Sequence, residues 1–300
     1  MQNLGVGIVN RNSELATRGH LLFRVVWRSV NLLLAAVVVS SIYGGIREYS
    51  VRQYLGGFSD AVVPEAAPAE QKVEAILAWM RSGPSRYVAA NPSDLPARDP
   101  EATLNYQQLL SVCGTATNAF LNLARSGGLT VRRLLLLTPE RNTKHVVAEV
   151  LIDGRWAIVD PTYRVFLRDA HGQMLTRNDL RNAAVFAEAI SAVPGYPSEY
   201  NFEHYAHVRL ARLPLDGMGL RRTLDGALPG WDEAVDWSLL LERQSFLVLV
   251  VSVSLTLIFL LLRAVLAWFA DNRLRIPRFH FREHALRAGV AFFSTPEIKQ

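Results

Sequence analysis

Cysteine is almost missing from this sequence: Cys113 is the only one in 300 residues. An intrachain disulfide is therefore excluded, and so is a metal centre built on several thiolates. The fold must be held by a hydrophobic core, and the long middle of the chain is large enough to supply one. Lysine is scarce as well. Lys72, Lys144 and Lys299 are the only three among 32 basic residues, a bias with no functional reading here. The middle also lacks a positive surplus, although the whole chain carries +5. Between Arg47 and Gln244 there are 21 Lys+Arg against 23 Asp+Glu, whereas the flanks hold 11 against 4. Basicity that sits beside apolar runs, and not on the central domain, argues against a nucleic-acid partner. Internal repeats and low-complexity tracts are absent too.

Two apolar runs are present. The first, Val25–Ile46, is free of charge from Ser29 onward and is long enough to span a bilayer. The second begins at Phe246, carries no charge to Leu262, and ends at Ala270 beyond Arg263, which can snorkel to the interface. The first run has no clean small-residue cleavage site after it, so a retained anchor is expected over a cleaved signal. Arg18, Arg24 and Arg28 precede the charge-free part of the first run; Arg273, Arg275, Arg278, Arg282 and Arg287 follow the second. The positive-inside rule then expects both termini in the cytoplasm and the middle outside it, with Arg47 and Arg52 a mild counter-signal. The expected organisation is a cytoplasmic segment 1–24, a transmembrane helix 25–46, a linker 47–69, an extracytoplasmic domain 70–244, a transmembrane helix 245–270 and a basic cytoplasmic tail 271–300. The localisation implied is the plasma (inner) membrane.

Within the middle, Ala61–Ala69 is rich in proline and alanine and reads as linker. Glu70–Arg81 has helical spacing, with Val73, Ile76, Leu77 and Met80 on one stripe. Residues 91–100 hold three prolines and read as a loop. Gly114–Arg125 predicts a helix burying Ala116, Ala119, Phe120 and Leu123, stopped by Gly127-Gly128. Leu129–Thr138, Lys144–Ile152 and Arg155–Asp160 read as strands. Asp153-Gly154 is a two-residue hairpin signal between the last two. Asn178–Ala192 predicts a helix, and 195–236 mostly loop.

The chemistry-bearing residues converge on this segment. Cys113 opens a helix, where unpaired N–H groups and the dipole favour thiolate. If Asp153-Gly154 is the turn, Ile152 pairs with Arg155, and Val147 lies opposite Asp160. His145 shares the face of Val147, so His145 and Asp160 become diagonal neighbours across two strands. The opposite face carries Val146, Ala148, Val150, Ala157 and Val159 and suits a core. A thiol beside an imidazole that a carboxylate orients is the plan of an activated nucleophile. His204 and His207 have a His-x-x-His spacing but no third ligand, so no metal site is expected. Trp156 reads as core packing, while Tyr196, Tyr200 and Tyr205 are candidates to line a cleft, although aromatic loop residues commonly just pack.

The order Cys113-Gly114, helix, Gly128-Leu-Thr-Val-Arg132, His145-Val-Val-Ala-Glu149, Gly154-Arg-Trp156, Asp160-Pro-Thr162 resembles the transglutaminase-like superfamily. The resemblance covers about 50 residues. It implies an α+β fold with a papain-like transglutaminase core, a cysteine-bearing helix packed on an antiparallel sheet, here flanked by two transmembrane helices. It also implies Cys113 as nucleophile, His145 as base and Asp160 as orienter. Val146 and Val147 depart from the small and aromatic residues that often follow the histidine, which bears on the shape of the acyl-donor channel. In papain-like enzymes a glutamine six residues before the cysteine can donate to the oxyanion. Gln107 stands there, Gln108 is equally placed, and a polar loop residue is the plainer reading of either. The backbone N–H of Cys113 is the safer donor.

The expected function is thiol acyl transfer outside the cytoplasm, on a protein, peptide or envelope-linked amide, with hydrolysis favoured over crosslinking because water is always at hand. No metal or organic cofactor is expected. The partners expected besides substrate are the lipid bilayer and other membrane proteins of an envelope assembly. The alternative is a catalytically silent scaffold within an envelope or exopolysaccharide assembly.

Overall fold

A computed structural model describes residues 5–82, 113–208 and 220–274. In chain order the elements are α1 (Gly5–Val62), α2 (Ala69–Ser82), α3 (Cys113–Ser126), β1 (Val131–Leu137), β2 (Thr143–Ile152), β3 (Arg155–Asp160), β4 (Val165–Phe166), α4 (Ala183–Ser191), β5 (Tyr205–Ala206), α5 (Leu220–Ala227), α6 (Trp231–Ala234), α7 (Trp237–Glu242) and α8 (Gln244–Phe269). They form two compact units, one of Met1–Ser41 with Val251–Gln300 and one of Ile42–Val250.

The first unit is built from parts of α1 and α8. The stretches Leu21–Val62 and Gln244–Leu274 are long and apolar enough to cross a membrane, with hydropathies of 1.9 and 2.8. Only 6% of each apolar window is buried, whereas a core helix of a soluble protein would be mostly covered. Leu32, Val39, Leu257 and Leu261 instead point outward. The hydroxyls of Ser41 and Thr256 each donate to a carbonyl of their own helix, at 2.8 Å, and lie 3.2 Å from each other. Hydroxyls that bond back to the backbone in this way leave no polar group stranded in an apolar setting.

The second unit centres on a five-stranded antiparallel sheet in the order β4-β3-β2-β1-β5. One face packs on α2, α3 and the last turns of α1. The other is covered by α4 and the irregular chain between 163 and 202. The expected stripe of α2 is the observed one: Val73, Ile76, Leu77 and Met80 are its buried residues. Helix α3 differs from its sequence pattern. Besides Ala116, Ala119, Phe120 and Leu123 it buries Thr117, Asn118, Leu121, Asn122 and Ala124. A helix enclosed on two sides has no solvent face. Its polar residues are satisfied inside, Asn122 donating to Asn118 and Thr117 to the carbonyl of Val146. Its C-terminus closes in a Schellman arrangement: Gly128 at φ 80° donates to the carbonyl of Arg125, and Leu129 donates to that of Ala124.

The segment 47–62, expected as part of a linker, is helical. Val51, Leu55 and Val63 join the core under α2 and α3. Apolar residues four apart put one stripe of this helix against the domain. The helix ends before Pro64, and only the short stretch 63–68 connects it to α2. The predicted helix over 178–192 is divided: a 3₁₀ turn at Asp179–Arg181, then α4, capped by Asn182, whose side chain accepts from the N–H of Ala184. The loops expected before Cys113, and most of the basic tail, lie outside the described residues.

Candidate active site

Asp153 and Gly154 both have positive φ, 48° and 78°, the tight turn that matches strand twist. The turn sets the ladder: Ile152 pairs with Arg155 and Ala148 with Val159. One consequence is local. His145 Nε2 lies 2.7 Å from Asp160 Oδ2, with both side chains buried. On its other side His145 pairs with Leu136, and there the β1–β2 ladder shifts, Leu137 pairing with Thr143 and leaving Lys144 out of register. A bulge of this kind bends a strand and re-aims the neighbouring side chain.

The Asp-Pro-Thr sequence has a local logic. Asp160 Oδ1 accepts from the backbone N–H groups of Thr162, at 2.9 Å, and Tyr163, at 3.3 Å, so the carboxylate caps its own turn over Pro161. Oδ2 takes His145 and the hydroxyl of Tyr196, the latter at 2.8 Å. Both oxygens are thus committed, and the carboxylate cannot rotate away from the imidazole. Burial first, and then the charge of Asp160, hold the Tyr196 phenol well above its usual range, so it stays a donor.

Cys113 is the first residue of α3 and is half-buried against Leu135, Leu137 and Val146. The helix is tied to β2 by the Thr117 hydrogen bond one turn further on. Cys113 lies within hydrogen-bonding reach of His145. With Nε2 engaged by Asp160, Nδ1 is the nitrogen left for the thiol. Burial by itself pulls the imidazole down. The hydrogen bonds to Asp160 and Cys113 and their charges outweigh it, and His145 is pushed up to about 9. The imidazole is accordingly charged at neutral pH, the state that stabilises a neighbouring thiolate.

Three tyrosines wall this pair. The ring of Tyr200 stacks on His145 at 4.1 Å and 3°, while Tyr163 and Tyr196 meet it edge-on. Tyr196 and Tyr200 pack against His145, whereas Tyr205 lies under the guanidinium of Arg177. Tyr163 was not among the expected residues. Its only signal was its place directly after the Asp-Pro-Thr turn.

The other candidates go elsewhere. His207 Nε2 bonds to Glu149 Oε2 at 2.8 Å, and Glu149 also takes Arg132 Nε at 2.6 Å. Trp156 lies beneath the Arg132 guanidinium, 4.0 Å away. Among the described residues no group of three His, Cys, Asp or Glu side chains could hold a metal. Gln107 and Gln108 lie outside the described residues.

Comparison with known proteins gives one family. Residues 57–161 match the model of the transglutaminase-like superfamily core. No curated protein and no solved structure matches the chain. The matched range takes in the docked end of α1, α2, α3 and the β1–β3 meander, with Cys113, His145 and Asp160 all inside it. The chain therefore carries a domain of the transglutaminase-like superfamily, built as helices on a five-stranded antiparallel sheet.

Proposed function

We propose that this chain is a membrane-anchored thiol acyl-transfer enzyme, with Cys113 as nucleophile, His145 as proton carrier and Asp160 as the group that orients the imidazole. The observation that carries the reading is a thiol at a helix start within reach of an imidazole whose far nitrogen is 2.7 Å from a buried carboxylate. Members of the superfamily commonly use this chemistry.

In this reading the Cys113 thiolate attacks the carbonyl carbon of an amide. The oxyanion formed is met by the backbone N–H of Cys113, with Gln107 a second candidate donor. Collapse breaks the C–N bond, and the His145 imidazolium gives its proton to the departing amine. The thioester left on Cys113 is then attacked by water or by a second amine, which loses a proton to His145 as the thiolate leaves. Water makes this hydrolysis; an amine makes it transfer. The steps need no cofactor. The donor is a protein, peptide or envelope-linked amide, and hydrolysis is the favoured outcome.

The two apolar helices and the basic residues at their far ends support a domain organisation with both termini cytoplasmic and the domain outside. A sole cysteine makes this directly testable. A charged, membrane-impermeant maleimide should label Cys113 in intact cells without permeabilisation; labelling only after lysis sinks the topology. For the chemistry, Cys113→Ala should abolish labelling by an electrophilic acyl probe and fail to complement a deletion at normal membrane abundance. Full complementation by Cys113→Ala would leave a catalytically silent scaffold as the reading.

A further inference from the structure

The χ2 torsion of a histidine is broad, without sharp staggered minima, so neighbours must set the plane of its ring. At His145 the contact of Nε2 with Asp160 Oδ2 fixes one nitrogen. That contact alone leaves the ring able to twist about it, and a twist carries Nδ1 away from Cys113. Tyr200 supplies a second constraint. Its ring lies 4.1 Å from the imidazole, with 3° between the two planes, whereas Tyr163 and Tyr196 meet the imidazole at 66° and 85°. Only a parallel face opposes the twist over the whole ring.

Tyr200 belongs to a loop, yet the chain beside it is fastened to the strands that carry the site. Asn201 Oδ1 accepts from Lys144 Nζ at 2.8 Å. Lys144 is the residue that the β1–β2 ladder leaves out of register, directly before His145. The residue set out of the ladder thus holds the loop beside the residue that follows it. Phe202 is fully buried, and the carbonyl of His204 accepts from the N–H of Leu137 at 2.8 Å. Tyr205 pairs with Leu136, which is also the β1 partner of His145. Among the described residues the titratable groups around the imidazole are Asp160 from β3, Cys113 from α3 and the phenols of Tyr163, Tyr196 and Tyr200.

We infer that Tyr200 is a positioning residue for the acyl transfer proposed above: its flat face holds the His145 imidazole in the plane that presents Nδ1 to Cys113, and its π cloud favours the imidazolium of a thiolate–imidazolium pair. The inference rests on that reading of the site and extends it beyond Cys113, His145 and Asp160. A cation against an aromatic face in a desolvated setting gains on the order of ten-fold in its equilibrium constant.

The test uses the full chain in mild detergent and its sole thiol. Alkylation of Cys113 by iodoacetamide is followed from acid to neutral pH, per folded molecule as judged by thermal melting. The pH at which reactivity rises reports the thiolate–imidazolium pair, and its position, unlike the rate, does not depend on how open the site is. Leucine keeps the apolar cover but not the flat face, so Tyr200→Leu should move the rise upward by about one pH unit. Tyr200→Phe keeps the ring and should restore the wild-type position. An unmoved rise in Tyr200→Leu overturns the inference, and an equal shift in both variants assigns the effect to the hydroxyl and overturns it as well. His145→Ala separates these outcomes from failure of the underlying reading. A rise unchanged in His145→Ala removes the thiol–imidazole pair and the proposed function with it; a rise that moves in His145→Ala but not in Tyr200→Leu overturns the role of Tyr200 alone. Should Tyr200→Leu fail to fold, Tyr200→Met, also apolar and not flat, carries the same test with the same outcomes.

Discussion

Strand β2 carries two buried carboxylate–histidine pairs on one face, four residues apart. His145 meets Asp160 at 2.7 Å, and Glu149 meets His207 at 2.8 Å. By distance and burial they are nearly the same. Their third partners differ. Around Asp160 the remaining bonds come from neutral donors, and the far side of the imidazole faces Cys113. Around Glu149 stands Arg132, itself covered by Trp156 and linked to Glu233. The first pair raises the proton affinity of its histidine. In the second, burial pushes Glu149 up, but the hydrogen bond from His207 and the charge of Arg132 prevail and hold it below the usual carboxylate range. A buried carboxylate–histidine contact is therefore not in itself a site. The group on the other side decides whether the pair faces a thiol or neutralises a cation.

Substitutions should separate the two pairs, and the largest effect is at the first. His145→Ala is expected to abolish turnover and probe labelling while the protein stays folded and membrane-bound. Asp160→Asn should fall short of that, with a loss on the order of 10³–10⁴-fold, because it disturbs the tautomer and charge of the imidazole without deleting a reacting group. If Asp160→Asn lowers abundance in parallel with labelling, the two pairs are alike and the contrast fails.

Glu149→Gln should do the reverse. It leaves Arg132 buried without its main counter-charge, at a cost of about 3–5 kcal/mol, partly offset by Glu233 at 3.6 Å. Lower thermal stability and abundance are expected, with labelling of Cys113 per folded molecule unchanged. A specific loss of labelling in the folded fraction would merge the two networks into one site.

Acid and alkali should also tell the pairs apart. The folded state raises His145 from 6.5 to about 9, so its contribution is complete below 6.5 and is lost as pH climbs through about 9. The amount is on the order of 3 kcal/mol. Glu149 is depressed from 4.5, so its contribution is present above that value and is lost as pH falls through the lowered one. Thermal unfolding in detergent should therefore show an alkaline decline that His145→Gln removes and an acid decline that it does not. The smallest effect belongs to Tyr196→Phe. It removes one of four hydrogen bonds to Asp160, costing about 1 kcal/mol, and slows turnover only modestly. A loss comparable to Asp160→Asn would make Tyr196 part of the machinery and not its brace.

How much of this was legible depended on range along the chain. Asp153-Gly154 admits a two-residue turn with both φ positive, and such a turn allows one register, so the pairing of Ile152 with Arg155 and the shared face of His145 and Asp160 followed from sequence. The stripe of α2, the glycine stop of α3 and the two apolar helices were legible for the same reason, being fixed by neighbours within a turn or two. The bulge at Lys144 gave no such signal, because nothing local distinguishes one residue too many in a strand. Residues 47–62 read as linker because their apolar positions are sparse, and only the surface offered by α2 and α3 makes Val51 and Leu55 a core stripe. Tertiary structure alone decided that Tyr196 and Tyr200, well down the chain in a loop without periodicity, close over His145. It alone decided that Arg132, Glu149 and His207 form a second knot. Backbone periodicity and turn chemistry act between near neighbours and are written in the sequence; a hydrogen bond between distant segments exists only once the core has brought both ends to one place.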